Sequence, residues 1–155
     1  MTLLDAPSFN AARARKRRNI ILSSIGVLIV LGIFVWIFWN WPAEHRVNRL
    51  FAALEQQQFE KAYGIWNDDD DWQQHADKYK DYPLQRFTED WTTASPVGQP
   101  IHSHHVDISK TDGTGAFGSG IIVAVRVNGD HKLFMWYERK DGTLTEPAPH
   151  MLQYD

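Results

Sequence analysis

Cysteine is absent from the chain, which excludes structural disulfides, thiolate metal ligation and thiol redox chemistry. A domain of this protein in an oxidising compartment therefore stands on its apolar core alone. Charge is absent from residues 19–43, and the centre of that stretch, residues 20–39, is almost wholly apolar. No GxSxG, HExxH, P-loop or paired-carboxylate motif occurs anywhere. The sequence thus offers no conventional support for hydrolytic, metalloproteolytic or nucleotide-dependent chemistry. The expectation is a non-enzymatic protein with no cofactor.

What is there begins with the uncharged stretch. About twenty apolar residues, rising 1.5 Å each, cross a ~30 Å hydrocarbon layer as a helix. A transmembrane helix is therefore expected over residues 19–41. It follows directly on Arg13, Arg15, Lys16, Arg17 and Arg18, and basic residues beside a first span hold that flank in the cytoplasm. Residues 1–18 read as a basic cytoplasmic tail. Residues 42–155 read as an extracytoplasmic domain of a single-pass protein of the cell (inner) membrane. Trp36, Trp39 and Trp41 suit an aromatic belt at the outer interface. A cleaved secretory signal would need a shorter apolar run and small residues at its end. Here the run closes in Phe38, Trp39, Asn40, Trp41 and Pro42 instead.

The net charge of −3 hides two opposite regions, about +4 over residues 1–18 and about −7 over residues 42–155. An acidic surface repels phosphate backbones, which argues against nucleic acid as a partner of the outer domain. The basic tail can touch anionic headgroups, although topology alone explains it. The expected partners are the lipid bilayer and another membrane protein or complex. Just over a hundred residues suffice for one core and are too few for two.

Beyond the span, Val47, Leu50, Phe51 and Leu54 recur at the helical interval, and the period slips at Glu55-Gln56-Gln57-Gln58. It resumes at Phe59, Ala62, Tyr63 and Trp66, giving two short helices joined at the glutamines. The acidic run 68–71 lacks the spacing of a calcium loop and reads as solvated. Pro83 suits the first turn of a third helix that turns Leu84, Phe87 and Trp91 inward. Residues 95–100 break it, and strand grammar follows. Residues 101–109 and 119–128 are candidate strands, with Ile121, Val123, Val125 and Val127 on one face and Arg126 on the other. Asn128-Gly129 signals a hairpin into residues 131–139, and Asp141-Gly142 a further turn into a short edge segment through Thr145. Pro147 and Pro149 cannot donate ladder hydrogen bonds, so the tail leaves the sheet. Helices first and an antiparallel meander after give an α+β fold, with the helices on one sheet face.

The run from Arg49 through Trp66, with Phe51, Leu54, the glutamine break, Phe59, Ala62, Tyr63 and Trp66, resembles the opening of cystatin-like, NTF2-like domains. That resemblance implies about three helices packed on a curved antiparallel sheet. The layout of one anchor and one small domain is also similar to proteins of the cytochrome oxidase assembly factor type. It implies an accessory or assembly protein presenting its domain to a membrane complex. The fold hosts enzymes, transport factors and inert partners alike, so function must come from the site.

Two side-chain sets are candidate sites. His102 and His104 on a regular strand would point the same way, about 7 Å apart, as two ligands of a zinc or copper ion. Asp107, His131 or His150 would have to complete the site. Too few ligands are assured, so no metal is expected. Tyr63, Trp66, Phe87, Trp91, Phe134 and Trp136 either line a hydrophobic pocket between sheet and helices or simply form the core. A small-ligand or metal-binding module is the alternative function. The glycine-rich stretch 113–120 precedes a strand rather than a helix, and reads as a hairpin loop.

Overall fold

A computed structural model describes residues 11–113 and 118–147. The side chain of Trp36, residues 114–117 of the glycine-rich stretch, Pro149 and His150 lie outside that description. Two compact units result, Met1–Trp39 and Asn40–Asp155.

The first unit is one helix, α1 (Ala11–Phe38). It starts before the expected span and includes Arg13 to Arg18, because Arg and Lys are good helix formers. Residues Ala12–Val35 are long and apolar enough to cross a membrane, and none of that stretch is buried against protein. Ile20, Leu28, Ile33 and Phe34 are all more than half exposed.

The second unit opens with α2 (Trp41–Glu55), whose first turn holds Trp41 and Pro42. Trp41 thus belongs to this helix and not to α1. Proline fits there because its missing N–H would have had no helical partner. Val47, Leu50, Phe51 and Leu54 are all buried, as their spacing requires. Gln57 adopts a left-handed backbone (φ 56°). Its N–H and that of Gln58 return to the carbonyls of Leu54 and Ala53, which ends the helix. α3 (Phe59–Asn67) then buries Ala62 and Tyr63.

Asp68 caps α3 in the left-handed region and pairs with Arg46 of α2. The acidic run is therefore not simply a solvated loop, since its first member ties two helices together. A 3-10 helix (Trp72–Tyr79), kinked at His75, follows; the helical period did not reveal it. α4 (Leu84–Asp90) comes next, with Pro83 as its cap. Phe87 and Trp91 turn inward as expected.

The sheet contains β1 (His104–Thr111), β2 (Gly120–Val127), β3 (His131–Glu138) and β4 (Leu144–Thr145), antiparallel in that order. β1 begins later than the expected residue 101 because Asn128 captures the preceding backbone. Its Oδ1 accepts the N–H groups of His102 (2.8 Å) and Ser103 (3.3 Å), and its Nδ2 donates to Pro100 O (2.8 Å). Register shifts at a bulge around Asp107.

Ile121, Val123, Val125, Val127, Met135 and Leu144 join the helices in one core. The opposite sheet face carries Ile108, Ile122, Ala124, Phe134 and Trp136, which alternate with the core set through the paired register. Asp107 lies on that face too, gripping Arg126 through both carboxylate oxygens at 3.0 Å. The architecture among the described residues is α+β, with an open four-stranded antiparallel sheet.

Candidate functional site

A cleft of about 420 Å³ lies between the helical layer and the end of β4 at Thr145. α3 contributes Trp66 and Asn67, α4 contributes Asp90, and the flanking segments contribute Tyr82, Trp91, Pro96 and Glu146. Three aromatic rings build its wall. Trp66 lies 6.2 Å from Tyr82 and 6.2 Å from Trp91, the latter edge-on. These rings occur where they do because α3 and the turn after α4 each place one tryptophan beside the buried Phe87.

Polar groups sit at the rim. Tyr82 Oη donates to Asp90 Oδ2 at 2.8 Å, and Tyr63 Oη donates to the Tyr82 carbonyl at 2.5 Å. Burial pushes the Tyr82 hydroxyl well above its ordinary range, and the Asp90 and Glu146 carboxylates push it further. It therefore remains a neutral donor and cannot serve as a base near neutrality. Aromatic walls with carboxylates at the rim suit an apolar or cationic group.

A second, smaller groove of about 220 Å³ adjoins the first and shares Trp91, Pro96 and Glu146 with it. Lys132 to Met135 of β3 and Pro147 complete its lining.

The six aromatic candidates fall in three places. Tyr63 and Phe87 are fully buried core residues that line neither groove. Trp66 and Trp91 line the cleft, and Trp91 and Phe134 line the groove along β3. Trp136 lies on the sheet's outer face, where its indole covers Gly120.

The histidines separate. His102 precedes β1 and is exposed, so it shares no strand face with His104. His104 turns inward against α2, stacked on Phe51 at 5.7 Å. Its Nδ1 lies 2.7 Å from Glu55 Oε1 and its Nε2 lies 2.8 Å from Asn48 Oδ1. Both ring nitrogens are thus engaged in tying β1 to α2. His131 stands opposite Val127, which in turn stands opposite His104. Two strand spacings, roughly 10 Å, therefore separate those histidines. Among the described residues no group of three or more metal-capable side chains assembles.

One polar cluster escaped sequence reasoning. Asp69 Oδ2 accepts the Tyr79 hydroxyl at 2.7 Å and lies 3.1 Å from His75 Nδ1. The Tyr79 hydrogen bond, with help from His75, holds the Asp69 carboxyl below its ordinary value. The spacing of these residues matches no motif, and the 3-10 helix that gathers them had no readable period. The cluster pins that helix to the end of α3.

Comparisons with protein-family models, with curated proteins and with solved structures gave no match to this chain.

Proposed function

We propose that this protein is a membrane-anchored, non-enzymatic accessory protein that presents its α+β domain to a membrane-complex partner. The observation that carries the reading is α1, whose apolar side chains are exposed all along a length sufficient for a bilayer. A helix apolar on every face has no soluble surface to bury itself against. The basic cluster at its start supports a cytoplasmic N-terminus and an extracytoplasmic, periplasmic domain. The order of helices before an antiparallel meander supports a cystatin-like, NTF2-like domain.

Two polar networks support a structural over a catalytic role. The Glu55–His104–Asn48 and Asp69–His75–Tyr79 sets each bridge two elements. Their donors and acceptors are spent on one another rather than aimed into the cleft. Tagged full-length protein extracted in mild detergents should bring a membrane protein with it in fixed ratio. A monodisperse monomer in every such detergent would overturn the reading.

A second reading, a small-ligand module, is favoured by the cleft of Trp66, Tyr82 and Trp91 alone. Thermal shift of residues 40–155 with lipophilic amines and with zinc or copper salts separates it from the first. A saturable stabilisation by an amine, lost in Trp66→Ala, would promote it.

A further inference from the structure

The charged side chains of α2 divide between two directions. Glu44 Oε1 accepts the Ser109 hydroxyl at 2.5 Å, and Glu55 Oε1 lies 2.7 Å from His104 Nδ1. Arg46 donates to the Ile65 carbonyl at 3.3 Å and pairs with Asp68. Both acids of the helix and one of its arginines are thereby engaged within the domain. Trp41, His45 and Arg49 are not. They recur at every fourth residue and so share one flank, within an arc of about 80°. All three are exposed, Trp41 by 51%. Its indole and the His45 imidazole stack face to face, 4.8 Å apart and 11° from parallel. Arg49 has no ion pair or side-chain hydrogen bond among the described residues. The three side chains thus offer aromatic surface and positive charge, with no acid among them, on a domain whose net charge is about −7.

The place of this flank along the chain says what it meets. Only Trp39 and Asn40 separate Trp41 from the end of α1 at Phe38. Three peptide steps reach no further than about 11 Å. Wherever α1 leaves a bilayer, Trp41 therefore stays within reach of the headgroup layer. Indoles favour that layer, and arginine finds its counter-charge there in anionic lipid.

We propose that Trp41, His45 and Arg49 lay α2 against the outer-leaflet headgroups and bind anionic phospholipid. The proposal rests on α1 crossing the membrane, and it deepens the accessory-protein reading by fixing how the domain is held at the surface. Val47, Leu50 and Phe51 remain in the core, so the helix touches the headgroups without inserting its apolar face. Arg49 lies eight residues beyond Trp41, about 12 Å of helical rise. Both meet the headgroups only if α2 runs along the surface; an upright helix would bring Trp41 alone. An acidic protein surface is the poorer occupant, because nothing keeps it beside Trp41, whereas the bilayer is there whenever α1 is.

The test uses full-length protein in nanodiscs of phosphatidylcholine, alone or mixed with phosphatidylglycerol. The chain has no cysteine, so a single introduced one carries a fluorinated tag alone. Gln56→Cys puts the tag at an exposed position on the same flank. Its fluorine relaxation by gadolinium chelated at the lipid headgroups reports its distance from them. A flat α2 keeps the tag near the headgroups and an upright one holds it ~22 Å away, which separates the two relaxation rates by about tenfold or more. Expected are the fast rate in the phosphatidylglycerol mixture and a fall toward the slow rate in phosphatidylcholine alone or in high salt. Arg49→Glu should give the same fall and Arg49→Lys should not. The lipid and salt arms need no change at the flank, so a poorly folded Arg49→Glu does not blunt the test. A slow rate in the mixture, a rate indifferent to lipid charge, or a fast rate seen only with a co-purified protein would each overturn the proposal. Leu28→Cys, challenged with a membrane-impermeant maleimide, separates this result from the anchor itself. If it is protected while the Gln56→Cys tag relaxes slowly, the headgroup proposal falls and the anchored reading stands. If it reacts freely, both fall.

Discussion

Trp91 is the residue on which the core and both grooves converge. It is only 6% exposed, meets Phe51 edge-on at 5.7 Å, and lies 6.2 Å from both Trp66 and Phe87. Trp91→Ala deletes an indole from a packed junction that cannot collapse around the loss, at a cost of about 3–5 kcal/mol. A domain of this size holds only ~5–15 kcal/mol in total. Residues 40–155 form their own compact unit, so the change can be read in that fragment. A loss of this size lowers the melting temperature by on the order of 10–20 °C. Circular dichroism melts of parent and variant measure it. Phe134, which lines the same groove but is 40% exposed, supplies the control. Phe134→Ala should cost less than about 1 kcal/mol, as exposed substitutions do. A Trp91→Ala melt within about 3 °C of the parent would refute the packing described here. So would a Phe134→Ala loss as large as that of Trp91→Ala.

Gly120→Ala would drive a methyl group into the Trp136 indole and to 2.7 Å from the Tyr137 carbonyl; a destabilisation of about 1–3 kcal/mol is expected in chemical denaturation. With both nitrogens of His104 engaged, the purified fragment should carry no stoichiometric zinc or copper by elemental analysis, and one metal per chain that His104→Ala removes would refute this. Asp69 should titrate by NMR below the ordinary value of 3.8. Because its folded-state value is depressed, its stabilising contribution is present above that ordinary value and is lost as pH falls through the folded one. Tyr79→Phe should move the titration upward, and an unmoved titration would dismiss the hydrogen bond as its cause.

The helices were legible wherever apolar residues kept one period. Val47, Leu50, Phe51 and Leu54 wrote α2 into the sequence, and Asn128-Gly129 wrote the β2–β3 hairpin. Elements fixed by side-chain capture were not legible. β1 starts at His104 because the Asn128 amide holds His102 and Ser103, a contact across 25 residues or more. The bulge at Asp107 has no local signature, and the 3-10 helix is held by Asp69 together with Trp72 and Tyr79, which pack on the distant Tyr63. The cleft was half legible. Trp66 and Trp91 were named as pocket residues, but the sheet face of Phe134 and Trp136 depends on register.

The orientation of the anchor tests the central claim most directly. Arg13, Arg15, Lys16, Arg17 and Arg18 all lie in the N-terminal part of α1, ahead of its apolar stretch, so its C-terminal end should lie outside the cytoplasm. Alkaline phosphatase fused after Asp155 should be active in a bacterial host, and green fluorescent protein fused at the same position should be dark. A fluorescent, phosphatase-inactive pair would place the domain in the cytoplasm and contradict the account.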